Sequence, residues 1–225
     1  MCKELIQGGM ERGWLLEPEA KELCRSYGLP VGEWCVAKTA QDAATIADGI
    51  GYPLVMKIVS PDVMHKSDVG GVILNIQDSK EAVEGFKKIE GVRDRIGCRL
   101  DGVLMEKMAP PGTETIIGGK RDNQFGAILV FGLGGIFVEV FKDVSFRVAP
   151  IDVEDALEMI SELKAFPLLK GIRGKEPADI GALAGALLKV SKMMLEVSEI
   201  KELDLNPTIA YSNGCRVVDA RVILG

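Results

Sequence analysis

Residues 52–76 read Tyr-Pro-Leu-Val-Met-Lys-Ile-Val-Ser-Pro-Asp-Val-Met-His-Lys-Ser-Asp-Val-Gly-Gly-Val-Ile-Leu-Asn-Ile. Two apolar runs, 52–58 and Val72–Ile76, have the length of buried strands and are too short for helices. Between them, residues 60–72 collect a proline, two adjacent glycines, small and acidic polar residues, a lysine and the only histidine of the chain. The pattern predicts strand, loop, strand. Histidine is the side chain best suited to take up a proton or phosphoryl group near neutral pH. Adjacent Gly70 and Gly71 would let backbone amides approach an anion. Lys57, near the end of the first run, is costly to bury unless its ammonium reaches water or an anion. It either snorkels to solvent or contacts phosphate, and the neighbouring loop favours phosphate. His65 taken alone reads as a surface or structural residue. No His, Cys or Glu partner stands at metal spacing, and no Gly-x-Ser-x-Gly elbow exists for a hydrolase.

Upstream of this stretch, 17–28 predicts a helix with Pro18 in its first turn and Gly28 at its C-terminal cap. A short strand over 33–37 follows, then a helix over 40–49 capped by Thr39. Downstream, Ser79 is the expected cap of a helix to about Ile96, with Ala82, Val83, Phe86 and Ile89 inward and Gly97 ending it. The order so far is α-β-α-β-β-α, one α+β lobe. A strand over 102–108 carries Glu106 and runs into Ala109-Pro110-Pro111-Gly112, which can neither continue a ladder nor start a helix. That break is the expected hinge, dividing the chain into lobes 1–108 and 109–225. Short strands follow at 113–118, 127–131, 136–140 and 145–148, then helices over 153–164 and 177–197. Gly181, Ala182, Ala184, Gly185 and Ala186 suit the second helix to tight packing on a sheet. Two strands close the chain, 200–205 ended by Asn206-Pro207, and 216–224, flanking a turn near Asn213-Gly214.

Composition narrows the function. The 225 residues are 47% apolar and 27% charged, an ordinary globular balance. No apolar run reaches the ~20 residues of a membrane span, and the mixed, charged residues 1–13 do not form a secretory signal. Five scattered cysteines show no zinc spacing, so they are expected as reduced thiols in the cytoplasm. The net charge of −6 and the lack of a basic run exclude a nucleic-acid surface.

Three further motifs matter. Gly132-Leu-Gly-Gly135 lacks the following helix that a dinucleotide fingerprint needs, so a tight turn is expected. Glu106 and Glu114 bracket the hinge; they read as solvated strand-end acids or as acceptors for ribose hydroxyls. Asp204, Asn206 and Asp219 form an acidic cluster if the two C-terminal strands pair. Hard oxygens of this kind suit magnesium, and Asp219 interrupts the apolar run 217–224, which favours a functional acid.

In order along the chain, these segments resemble the nucleotide-binding β subunits of the ADP-forming acetyl-CoA (acyl-CoA) synthetases, ATP-grasp proteins related to succinyl-CoA synthetase. The resemblance covers nearly the whole chain. It runs through Glu19-Ala-Lys-Glu-Leu, Tyr27-Gly-Leu-Pro-Val31, Gly51-Tyr-Pro-Leu-Val-Met-Lys57 and Glu106-Lys-Met-Ala-Pro-Pro-Gly112. Phe131-Gly-Leu-Gly-Gly-Ile-Phe-Val-Glu139, Lys142-Asp-Val-Ser-Phe-Arg-Val-Ala-Pro150 and Leu203-Asp-Leu-Asn-Pro207 continue it, and His65-Lys-Ser-Asp-Val-Gly-Gly-Val72 is its most specific part. The resemblance implies an α/β fold in which two α+β lobes clamp ATP or ADP. By it, Lys57 binds phosphate with Gly70 and Gly71 beside it, Glu106, Ala109 and Glu114 serve the adenosine side, and Asn206 and Asp219 hold Mg2+. It adds Asp204 and Arg147 to the active site and makes His65 the transiently phosphorylated residue. It also implies a CoA-binding α subunit in an α2β2 hetero-oligomer, since no Rossmann-type CoA unit is present here. The alternatives are a non-catalytic nucleotide-binding regulatory module, or the ATP-grasp part of a protein-acyltransferase fusion. Met1 and Gly225 are expected to be true chain ends, which disfavours the fusion.

Overall fold

The computed structural model describes residues 2–135, 142–172 and 176–225. In chain order its elements are α1 (Cys2–Met10), β1 (Trp14–Leu15), α2 (Glu17–Ser26), β2 (Trp34–Ala37), α3 (Ala40–Ile50), β3 (Leu54–Val59), β4 (Val72–Ile76), α4 (Ser79–Ile96) and β5 (Gly102–Lys107). There follow β6 (Thr113–Asp122), β7 (Gly126–Leu133), β8 (Val144–Val148), α5 (Val153–Ser161), α6 (Phe166–Leu169), α7 (Ile180–Glu196), β9 (Ile200–Tyr211), β10 (Gly214–Val217) and β11 (Arg221–Leu224). The strand expected at 136–140 lies outside the described residues.

Contacts divide the chain into two units, Gly32–Pro110 and Met1–Val31 with Pro111–Gly225. One division falls inside the expected hinge. The N-terminal 31 residues, expected in the first lobe, belong instead to the second unit. The reason is pairing: β1 is the outer partner of β11, with Trp14 opposite Ile223 and Leu15 opposite Val222. Ala20, Leu23 and Cys24 of α2 are fully buried in the same core as Val222 and Leu224.

In the Gly32–Pro110 unit, four antiparallel strands stand in the order β2-β5-β3-β4. Thr39 caps α3 through a reciprocal pair: its hydroxyl accepts from the Asp42 amide, and Asp42 Oδ2 accepts from the Thr39 amide. Asp78, one residue before the expected Ser79, caps α4 by accepting from the Glu81 amide at 2.8 Å. A carboxylate at that site also suits the positive end of the helix dipole. The inward stripes of both helices pack on Leu54, Met56, Ile58, Val103 and Met105. Strand alternation therefore turns Val55, Lys57, Leu104 and Glu106 to the face without these helices.

The other unit is a seven-stranded sheet ordered β1-β11-β9-β6-β7-β8, with β10 also on β9. Its core face joins Ile117, Leu129, Phe131, Leu203, Leu205 and Val222 to Leu183, Leu187, Val190 and Met194 of α7. The close approach of helix and sheet comes from the strand, not from the expected helix glycines. A Cβ at Gly119 would lie 2.8 Å from Met194, whereas Gly185 has open space around it. Two further expectations change here. β9 continues through Asn206-Pro207 to Tyr211, because β10 offers a ladder for residues 208–211. The single strand expected over 216–224 is two strands, with Val218–Ala220 as the gap.

Candidate functional site

Each unit carries a cluster of its own. In the Gly32–Pro110 unit, Lys57 Nζ stands 2.9 Å from Glu106 Oε1, and both side chains are about 95% or more removed from solvent, at 5% and 3% exposure. Neighbouring antiparallel strands put them there, since Val55 pairs with Glu106 and Lys57 with Leu104. Lys57 therefore does not snorkel to solvent. Glu106 is not a solvated strand-end acid either; it is the buried counter-charge of Lys57. An ammonium held in place by a carboxylate can face an incoming anion without reorganisation.

The loop that follows β3 is built on its own backbone. Gly71 donates to the Lys66 carbonyl at 2.7 Å, Gly70 donates to Ser67 at 3.0 Å, and Ile58 donates to Gly71 at 2.8 Å. The amides of Gly70 and Gly71 are thus bonded inside the loop. The glycines are needed for shape: Gly70 has φ of +74°, and a Cβ at Gly71 would lie 2.4 Å from Ile58 Cγ2. His65 is exposed on this loop. Ala109 is half-buried at the end of the unit, following the Met108 amide that donates to Pro53.

In the other unit, β9 pairs with β11 at Asp204–Arg221 and with β10 at Thr208–Val217. The register common to both ladders sets Asn206 opposite Asp219, inside the gap between β10 and β11. Val218 bridges the gap by donating to the Pro207 carbonyl at 3.0 Å. The gap explains why an acid interrupts the apolar run: Asp219 falls between the two ladders. Asp204 lies one turn of the pleat away, 3.2 Å from Arg221, which also meets Glu202 at 3.0 Å. Burial pushes the Asp204 carboxyl above its ordinary value; Arg221 opposes this, and Glu202 and Asp219 add to it. A groove of about 420 Å³ lined by Gly118, Ile128, Val130 and Phe146 adjoins Asp204.

Asn206 and Asp219 fit magnesium. They supply one amide oxygen and one carboxylate, and no cluster of three or more His, Cys, Asp or Glu side chains suited to a metal occurs among the described residues. Such a short donor set matches an ion that keeps waters and shares phosphate oxygens.

Arg147 lies on the other face of the sheet from Asp204 and Asn206. Ser145 of β8 donates to Met159 of α5, so Arg147, two residues on, shares the helix-bearing face. There it binds Glu162 at 2.5 Å and Glu158 at 3.3 Å. Leu203 and Leu205 occupy the core side of β9, so Asp204 and Asn206 lie on the opposite face. Arg147 thus ties β8 to α5 and the segment after it. Glu114 is exposed, and its backbone carbonyl accepts from Gly134 at 2.8 Å. In the 132–135 glycine segment, β7 continues through Gly132 and Leu133.

Reading the two strands separately did not pair Glu106 with Lys57. The signal was available: an acid and a lysine, each interrupting an apolar strand, on strands that flank one another.

Residues 7–224 match the family model described as the ATP-grasp domain. The β subunit of acetate–CoA ligase (ADP-forming) I from Pyrococcus furiosus is 53% identical over 99% of this chain and 97% of its own. A solved acetyl-CoA synthetase 1 from Candidatus Korarchaeum cryptofilum, in complex with coenzyme A and Ca-AMPCP, superposes with a TM-score of 0.97 at 48% identity, covering all of both chains. Another structure of that protein holds coenzyme A and Mg-AMPPCP, with its phosphohistidine segment pointing towards the nucleotide site; it matches with a TM-score of 0.89 at 46% identity, again over both whole chains. The chain belongs to the ATP-grasp family, among the β subunits of the ADP-forming acetyl-CoA synthetases.

Proposed function

We propose that this chain holds a magnesium nucleotide and uses His65 as the phosphoryl carrier of the ligase. Acyl-CoA and phosphate would give acyl phosphate and CoA on the CoA-binding α subunit. A histidine of that subunit would take the phosphoryl group, forming P–N as the P–O bond to the acyl group breaks and the carboxylate departs, and would pass it to His65. A ring nitrogen of His65 would then lose it to the terminal oxygen of ADP, breaking P–N and forming P–O to give ATP. Lys57, preset by Glu106, would meet the phosphates. Asn206 and Asp219 would hold Mg2+, which neutralises phosphate charge. An assembly of two α and two β subunits in the cytoplasm accords with this reading.

The observation that carries it is the placement of the single histidine, exposed on a loop that springs directly from the strand bearing Lys57. A regulatory module that only binds nucleotide has no use for a phosphorylatable side chain there. The test is incubation with γ-labelled ATP and magnesium, with and without the α subunit. Acid-labile, base-stable label should appear on the wild-type chain and vanish in His65→Ala, while nucleotide binding persists. No label in either condition would remove the relay.

A further inference from the structure

The loop 60–72 is fastened at both flanks to one short segment of its own unit. On one side Arg95, in the last turn of α4, donates from Nη2 to the Val69 carbonyl at 2.5 Å. On the other, the Arg99 backbone amide donates to Asp62 Oδ2 at 2.7 Å. His65 lies between these two anchor points. The neighbouring acid Asp94, which would ordinarily compete for a surface arginine, is taken by Arg93 at 2.8 Å. Arg95 itself is exposed. A guanidinium in water gains little net by binding a carbonyl, so the bond is weak enough to open and re-form repeatedly. Inside the anchors, the Gly70 and Gly71 amides close the loop on Ser67 and Lys66. These inner bonds belong to the resting loop, so exchange at the Gly70 and Gly71 amides reports how firmly it is held.

We propose that Arg95 is a positioning residue for His65: its bond to Val69 sets how firmly the histidine loop rests on the end of α4. This rests on the reading of His65 as phosphoryl carrier, since a carrier must be both placed and released. With the tie gone, the loop spends less time in its resting place, and transfer slows without loss of nucleotide affinity.

The experiment uses the full chain, with Arg95→Met and Arg95→Lys. Amide hydrogen exchange at Gly70 and Gly71 should quicken about three- to fivefold in R95M, the scale of one modest hydrogen bond. R95K, which keeps a cationic donor, should stay nearer the wild type. With the α subunit present, kcat for ATP formation should fall about threefold or more in R95M while KM for ADP stays within about twofold. Unchanged exchange in R95M, equal exchange in R95M and R95K, or a shift confined to KM would overturn the proposal. Asp62→Ala removes the acceptor on the other flank and carries the same exchange expectation should R95M fail to fold. Faster exchange in R95M together with no label on His65 would leave the tie in place and overturn only its link to phosphoryl transfer.

Discussion

At the scale of single residues, the buried pair Lys57–Glu106 carries the most consequence. Both side chains are almost wholly removed from solvent and meet at 2.9 Å. Removing one member of such a pair costs about 3–5 kcal/mol, because the other charge stays buried; replacing both by apolar groups is often close to neutral. Lys57→Met should therefore lower unfolding free energy by about 3 kcal/mol, and K57M/E106L should recover most of that loss. Nucleotide affinity should be lost in both variants, since neither presents an ammonium. Urea unfolding together with nucleotide titration separates the two effects. A double variant as unstable as the single one would show that the pair is not what Lys57 contributes to the fold. The position of His65, on a loop between two strands, was legible in the sequence, whereas its chemistry was legible only through the resemblance. For Gly70 and Gly71, spacing reveals that an amide can approach an anion, and only coordinates reveal that it is already bonded within the loop.

At the scale of elements, Arg147 shows how a motif can match while its side chain serves packing. Strand alternation sends it to the face of β8 that meets α5, where Glu158 and Glu162 of the helix and the segment after it receive the guanidinium. The bond to Arg147 holds the Glu162 carboxyl below its ordinary value of 4.5. A depressed carboxyl contributes stability above its unfolded-state value and loses it as pH falls through the folded one. Arg147→Met should thus cost roughly 1 kcal/mol near pH 7, as befits a largely exposed network. The difference from wild type should shrink as pH falls below 4.5 and through the lowered value of the Glu162 carboxyl. Thermal unfolding from pH 7 to pH 3 checks this; a constant difference over that range would point to lost packing of the arginine stem. Most helices and strands were legible from apolar periodicity and caps. The misses lie where partners decide: β9 runs past Asn206-Pro207 because β10 receives it, and 216–224 breaks because Asp219 falls between two ladders.

At the scale of the whole chain, the backbone passes between the two units twice, at 31/32 and at 110/111. Sequence reading found the second crossing from its proline pair and missed the first, since Leu29-Pro30-Val31 carries no comparable break. Only the pairing of β1 with β11 and the burial of α2 assign the N-terminal segment to the unit bearing Asn206 and Asp219. Deleting residues 1–31 should accordingly damage that unit alone. Leu15, Leu23 and Cys24 are at most 1% exposed, and a fully buried large apolar side chain is worth about 1.5–3 kcal/mol. The deletion also leaves β11 as an unpaired sheet edge. We expect at least about 4 kcal/mol of lost stability in the 111–225 region and undisturbed protection of 32–110, because α3 and α4 already cover the core face of its sheet. Hydrogen exchange mapped along the truncated chain reads both at once. Equal loss of protection in both regions would mean that the two units unfold as one, whereas intact protection of Arg221–Leu224 would mean that the N-terminal segment is an appendage and not part of that core.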